Sequence, residues 1–395
     1  MSLIQSAQLE NNQVGRGFNF ALKFNMKQIM KNTKSIAYQT ILLSLCQFNP
    51  ANGHSPPVQS SIDTRTGAYV LKWTIDGIPI QLDYNSRDVR VGLFGAGWCT
   101  DLDRSIEIIP GGDILYRDCS TAIGRKLTRR LKSGTSPRWQ NSTASESDWI
   151  EKTGLYFYHR SPQRLLERYN LSGYLLELAH GESKVLINRN QLGEIIALNF
   201  SGSPPLTTHQ TNNRLDEFFS DPQRKFKFSY EHNNLTSAQL ITPVKTEIIF
   251  SALYDDGHNL TQLKQKDQAP ERNPAHLSSV SPLEKYLTET IDYDLFSDRV
   301  AAIDTEGRCK THLSYGQTDQ NIDSKVTTLT TTVRQLCKGS KPVTSKFEYS
   351  YSPSLGSAQI LKSARIASPT ENNVYTFESN TGLPVKRRPE FVFQP

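Results

Sequence analysis

The chain has 395 residues, 36% of them hydrophobic and 9% aromatic, with 45 basic and 39 acidic side chains and a formal charge of +6. That length supports a large core, in several domains or in one repetitive array. The modest apolar share argues against a parallel sheet covered on both faces, and the small charge excess gives no reason to expect nucleic acid as a partner.

Near the N-terminus, Met26 to Lys34 is basic and free of acids, and Ser35 to Phe48 carries Ile36, Ala37, Ile41, Leu42, Leu43 and Leu45. A positive run before a short apolar run is the pattern of a secretory signal, and the apolar part is too short to span a bilayer. On this reading residues 1–25 stem from an upstream start codon. The competing reading is an apolar N-terminal helix without export. Cys46 follows Leu43-Ser44-Leu45, which makes it a candidate for lipidation, although Leu45 is bulkier than the residue that usually precedes a lipidated cysteine. Residues 1–48 are thus an extension with a signal-like segment, and 49–61 a linker containing Pro50, Pro56 and Pro57.

Strand signals begin at Ser61 to Val70, continue through Lys72 to Ile75 to a turn at Asp76-Gly77, and resume at Ile78 to Leu82. Tyr84 to Asp103 then reads as a strand, a glycine-pinched corner and a second strand. Gly95 and Gly97 let the backbone bend tightly, and Phe94 and Trp98 supply apolar mass on its inside. A hairpin follows, Ile106 to Ile109 against Ile114 to Tyr116, turning at Pro110 to Asp113. Gly124 to Asp148 is basic and Ser/Thr-rich, a loop by composition.

From Gly154 onward strands and Asn/Gly turns alternate, and the only helix candidate is Pro282 to Glu289. The recurring unit is an aromatic strand, a short turn and a second strand: Phe226 to Thr236, Phe250 to Thr261, Thr290 to Asp294, Leu313 to Tyr315, Phe347 to Tyr351, Val374 to Phe377. Tyrosine spacings of roughly 22 to 24 residues bracket one hairpin per unit, and a unit that size must stack on its neighbours to bury its apolar face.

Without Cys46, four cysteines remain in two local pairs. Cys309 and Cys337 flank a polar turn centred on Asp323, so a hairpin would set them opposite each other. Cys99 and Cys119 fit less directly: a turn at Gly111-Gly112 puts Arg104 opposite Cys119, so the chain must curl back or bulge. Disulfides are expected if the chain is exported, and buried free thiols otherwise.

Thr66-Gly67-Ala68, Tyr84-Asn85-Ser86, Gly92-Leu93-Phe94-Gly95-Ala96-Gly97-Trp98 and the pairs Tyr254-Asp255 and Tyr293-Asp294 resemble the RHS/YD-repeat family, which includes bacterial Rhs proteins, toxin-complex shells and teneurins. The likeness covers roughly residues 62 to 388. It implies an all-β fold of antiparallel hairpin repeats in an open, spiralling sheet, with the opening of an RHS core at 62–150 and a YD-like array at 151–395. Members use such shells to enclose a toxin or present adhesive surfaces. This chain departs from the pattern: its only Asp-Pro, Asp221-Pro222, precedes Gln223 rather than completing an Asp-Pro-x-Gly signature, and no toxin-like segment follows the repeats.

Patterns for nucleophilic, zinc or phosphate-loop chemistry are missing from the sequence, so no catalytic residue, metal or cofactor is expected. His232 and His258 occupy related turn positions in successive units, two imidazoles without a third ligand. Asp101 and Asp103 would share one face of a strand, and Asp255 and Asp256 a turn. Both pairs read as solvated carboxylates rather than a glycosidase pair. Arg125, Lys126, Arg129, Arg130, Lys132 and Arg138 form the strongest electrostatic feature, a candidate patch for an anionic ligand or a solvated loop.

The expected function is an exported, non-enzymatic β-scaffold for binding or encapsulation at the cell envelope or outside the cell. Rows of tyrosine, asparagine and threonine on exposed strands would contact a carbohydrate or protein surface. The alternatives are a secreted polysaccharide hydrolase, or a component of a toxin-delivery system acting with a neighbouring toxin or shell chain.

Overall fold

The computed structural model describes residues 58–389 except 76–79, 120, 131–135, 141–147, 162–164, 182, 203, 222, 267–285, 321–325, 355, 369–371 and 378–383. The signal-like segment, Cys46 and Lys132 lie outside the described residues.

The fold is all β. The leading segment forms β1 (Val58–Asp63), β2 (Ala68–Thr74), β3 (Gln81–Asn85), β4 (Val91–Gly92), β5 (Gly95–Ala96) and β6 (Trp98–Thr100), then a 3-10 turn at Asp101–Asp103. Strands β1, β2, β3 and β6 make a small antiparallel sheet, and β4 pairs with β5. The main sheet starts with β7 (Ser105–Ile108), β8 (Ile114–Asp118), β9 (Thr121–Arg130), β10 (Arg138–Gln140), β11 (Trp149–Thr153) and β12 (Tyr156–Arg160). It proceeds through hairpins of β13 (Leu165–Tyr169) with β14 (Leu175–His180), β15 (Ser183–Arg189) with β16 (Ile195–Phe200), β17 (Leu206–Thr211) with β18 (Arg214–Asp221), β19 (Arg224–Glu231) with β20 (Asn234–Ile241), β21 (Thr246–Tyr254) with β22 (Leu260–Lys266), and β23 (Tyr286–Tyr293) with β24 (Val300–Thr305). The last strands are β25 (Cys309–Gln320), β26 (Val326–Cys337), β27 (Val343–Ser354), β28 (Gly356–Ala367), β29 (Asn372–Phe377) and β30 (Pro384–Pro389). Strands β7 to β30 follow one another in chain order as an open antiparallel sheet.

The described chain divides into two compact units, one of residues 58–314 and 333–343 and one of residues 315–332 and 344–389. In the larger, period-2 alternation explains which side chains go inside. On β19, Phe226 and Phe228 are buried while Lys227 between them is exposed, and β8 buries Ile114, Tyr116 and Asp118 in the same way. In the smaller, Phe347, Tyr349, Tyr351, Leu361, Ala364 and Ile366 form the buried face of β27 and β28.

The hairpins share a signature finer than tyrosine spacing. In β13–β14, β15–β16, β17–β18, β19–β20, β21–β22 and β23–β24 the register shifts at the end of the first strand, and the residue after the shift faces the same kind of partner each time: Tyr169 and Leu175, Arg189 and Ile195, Gln210 and Leu215, Tyr230 and Leu235, Tyr254 and Leu260, Tyr293 and Val300. Each of those aliphatic partners is fully buried. A bulge adds local twist and re-aims one side chain, so every unit delivers one aliphatic residue to the core beside its turn. The turns at Asn212-Asn213 and His232-Asn233 have both residues in the left-handed region, the type I′ geometry whose twist matches the flanking strands.

Several sequence expectations need correction. Gly124 to Asp148 is not one loop: β9 runs through Thr121–Arg130 and β10 covers Arg138–Gln140, because pairing on both sides outweighs a loop-like composition. No helix forms over the described part of Pro282 to Glu289, where Tyr286 to Glu289 open β23 and pair with β22. The linker ends earlier than Ser61, since β1 starts at Val58. Ser61 to Val70 is not one strand but two, split by a turn at Thr64 to Gly67 that Asp63 caps by accepting the Arg65 N–H and the Thr66 hydroxyl. Asp101 and Asp103 sit in the 3-10 turn rather than on a strand. The described residues contain no helix long and apolar enough to cross a membrane.

Candidate functional site

The leading segment packs on buried rings of β18, β19 and β21 and on the turns of the neighbouring hairpins. Phe94 is 0% exposed, its ring 5.1 Å edge-on from Phe228 and 6.1 Å from Phe218. Trp98 is 1% exposed, stacked 6.0 Å from Phe250 and 5.3 Å from Tyr84. Gly95 has φ +95, and a Cβ there would stand 2.3 Å from the Asn233 carbonyl oxygen. That oxygen accepts the Ala96 N–H at 2.7 Å, so the absence of a side chain is what lets the two backbones meet. Gly97, φ +76, leaves room for the Tyr84 ring.

Further contacts recur along the hairpin turns. Leu215 donates its N–H to Leu93, Leu260 donates to the Tyr84 hydroxyl, and Val300 donates to Gly67. The repeat tyrosines join in from below, with Tyr230, Tyr254 and Tyr293 hydroxyls donating to the carbonyls of Leu215, Leu235 and Leu260. Burial holds these phenols above their usual range, Tyr230 and Tyr293 especially. The expected exposed row of tyrosines is therefore corrected for these three: they face inward and tie each unit to the one before.

The densest group of titratable side chains was not legible as a site. His159 on β12 is 2% exposed and Glu167 on β13 is 0% exposed. His159 Nδ1 lies 2.7 Å from Glu167 Oε2 and its Nε2 2.9 Å from Asp148 Oδ1. Glu167 also accepts from the Tyr169 and Tyr116 hydroxyls and from Arg104, while Arg125 reaches Asp118 and Asp148. Burial works against charge on the carboxylates, but the His159 bond and the charges of His159 and Arg104 outweigh it and hold Glu167 down to about 2. Asp148 is likewise lowered, by its bond from His159 and by Arg125 against burial. Against the burial that disfavours its charge, His159 is raised by Asp148 and Glu167, whose carboxylates favour the form in which both ring nitrogens donate. The imidazole and both carboxylates are thus committed to one another and closed off, an arrangement that clamps β8, β9, β12 and β13 together.

The remaining candidates fall in separate places. Asp103 is half-buried, accepts the N–H groups of Leu93 and Thr100, and is pushed up to about 6 by the loss of water around its carboxylate. Asp101 pairs with Arg104. Asp255 caps its own turn, accepting from Gly257 and Asn259. His258 bonds Asn234 through Nδ1, and His232 stands beside Glu231. No group of three or more potential metal ligands occurs among the described residues.

Strand alternation splits the basic cluster. Arg125 turns inward over the Tyr116 ring, and Arg129 lies opposite buried Trp139 with its N–H donated to Asp113. Lys126, paired with Asp113, and Arg130 point to the other side together with Arg138, which pairs with Glu151. There Arg138 meets Trp149 on β11, with its Cζ 4.4 Å from the ring centroid.

Both cysteine pairs form disulfides. Cys99 bonds Cys119 with Cα atoms 5.6 Å apart, and Cys309 bonds Cys337 at 4.0 Å. For the first pair the chain both curls, through the 3-10 turn, and bulges, between Tyr116 and Asp118. No family model matches this chain, and comparison with curated proteins finds no match.

Proposed function

We propose that this chain is an exported, non-enzymatic β-scaffold of the RHS/YD-repeat kind that works by binding, at the cell envelope or outside the cell. The observation that carries the reading is the repeated hairpin in which a bulge at Tyr230, Tyr254 or Tyr293 sets a buried aliphatic opposite, with the glycine-pinched leading segment seated on the turns. The two disulfides favour an oxidising compartment. Binding is favoured over enclosure of a cargo for β18 to β22, because their apolar face is filled by Trp73, Phe94 and Trp98 of the same chain. The closed state of the Asp148, His159 and Glu167 cluster speaks against its use in hydrolysis, which needs an acid and a base open to substrate.

The test is a glycan array run beside an assay for new reducing ends, with mass spectrometry of the exported protein and of whatever copurifies. Binding without release of reducing ends supports the scaffold. Turnover replaces it with a hydrolase, and an obligate copurifying chain with a part of a delivery assembly.

A further inference from the structure

The outward face of β9 to β12 adds Trp149 and Arg160 to Arg130 and Arg138, the two members of the basic cluster that the sequence places together and strand alternation leaves directly opposite each other. Residues directly opposite across a strand pair share a face, and the registers set Arg130 against Arg138 and Trp149 against Arg160. Their neighbours Trp139, Ile150 and His159 fill the buried face, so these four turn to solvent, the three arginines exposed and Trp149 half-buried. Arg138 and Arg160 lie 4.4 and 5.6 Å from the Trp149 ring centroid. A guanidinium laid on an aromatic ring keeps its N–H edge free and loses little further freedom when it binds.

Like charges directly opposite on adjacent strands destabilise a sheet, and among the described residues neither Arg130 nor Arg160 has an ion-pair partner. Only Arg138 has one, Glu151 at 2.9 Å. An anion lying across the strands would relieve the Arg130 and Arg138 repulsion and use the guanidinium edges that Arg130 and Arg160 leave without an ion pair. Resting on the reading of the chain as a binding scaffold, we propose that this face binds an anionic polysaccharide, whose carboxylate or sulfate groups bridge Arg130 and Arg138 and reach Arg160. Nucleic acid fits less well, because the Trp149 ring is taken by two guanidiniums and offers no open platform for a base.

The test measures binding of the full chain to dextran sulfate, polygalacturonate, uncharged dextran and single-stranded DNA at near-physiological salt. Binding of at least one acidic polysaccharide, with uncharged dextran and DNA much weaker, is expected. Each of Arg130→Gln and Arg160→Gln should weaken it by about tenfold, as loss of a charge-assisted hydrogen bond does. The pair Lys227→Gln and Lys338→Gln, which removes two charges elsewhere, should leave it unchanged. Trp149→Leu keeps every charge but frees the guanidiniums, so it should weaken binding too; a thermal melt confirms that each variant is folded. Equal loss in the lysine control, an unaffected arginine variant, or DNA bound as tightly as the polysaccharide overturns the proposal. Binding of a neutral glycan or a protein with no acidic polymer bound overturns it as well, yet leaves the scaffold reading standing, whereas release of reducing ends overturns both.

Discussion

The indole N–H of Trp98 donates to the Tyr254 hydroxyl at 3.1 Å, and that hydroxyl donates onward to the Leu235 carbonyl at 3.0 Å. One hydrogen-bond chain therefore links the corner of the leading segment to two successive hairpins. Trp98→Ala removes a buried ring and its donor together, and should cost about 3–5 kcal/mol. Tyr254→Phe should cost about 1 kcal/mol, with non-additivity in the double variant because the two residues share the bond. Denaturant titrations of the four proteins check this; a Trp98→Ala melt indistinguishable from the parent would remove the corner from the account.

Gly95 and Gly111 have the same φ of +95, yet a Cβ on Gly95 would meet the Asn233 oxygen at 2.3 Å while one on Gly111 would meet nothing within 4 Å. Gly111→Ala should therefore show only the backbone cost of a left-handed alanine, about 1 kcal/mol. Gly95→Ala must in addition part the Ala96 and Asn233 backbones, so its loss should be clearly larger in the same titration. Equal losses would mean that the close approach does not exist.

The His159 cluster gives a pH signature. Glu167, held down to about 2, and the lowered Asp148 stabilise the fold above their unfolded values, and that contribution fades as the pH falls toward 2. His159 is raised, so its contribution is full below the unfolded value and is lost as the pH rises through the folded one. The stability difference between the parent and His159→Gln should accordingly peak between roughly pH 4.5 and 6.5. Asp103, which opposes folding as it ionises toward its value of about 6, is present in both proteins and cancels. At the peak the substitution should cost about 3–5 kcal/mol, since it leaves two buried carboxylates without their shared cation. A difference that stays flat with pH would show that the imidazole is not charged.

Cys99 and Cys119 are 20 residues apart and Cys309 and Cys337 are 28 apart, so each closed loop should stabilise the fold by about 3 kcal/mol. Reduction should lower the melting temperature, and replacing either pair by alanine should account for part of the drop. Alkylation of the untreated protein at any of the four thiols would contradict the pairing.

Much of the array was legible because its signals are local. The aromatic strand at Phe226 and Phe228, the short turn at His232-Asn233 that follows it, and tyrosines one hairpin apart need no knowledge of distant contacts, whereas the left-handed pair Asn212-Asn213 was not singled out. What stayed hidden depends on chain segments that meet across the fold. Arg104 reaches Glu167 from 63 residues away, and Ile106 donates its N–H to Gly173. Nothing near His159 announces that Asp148 will lie on its other side. Composition misled at 124–148 for the same reason, since partners on both sides rather than intrinsic preference make β9 a strand. The basic cluster was read as one patch because its residues are close in sequence, whereas alternation sends Arg125 and Arg129 to one side and Lys126 and Arg130 to the other.

The account depends most on the leading segment being seated on the hairpin turns. Hydrogen exchange resolved to single amides measures this directly at Ala96, Leu215, Leu260 and Val300, whose acceptors lie across that junction. They should exchange as slowly as the core amides of β19 to β22. Rapid exchange at these four positions while the strands stay protected would show that the segment is not docked, and the scaffold described here would lose its core.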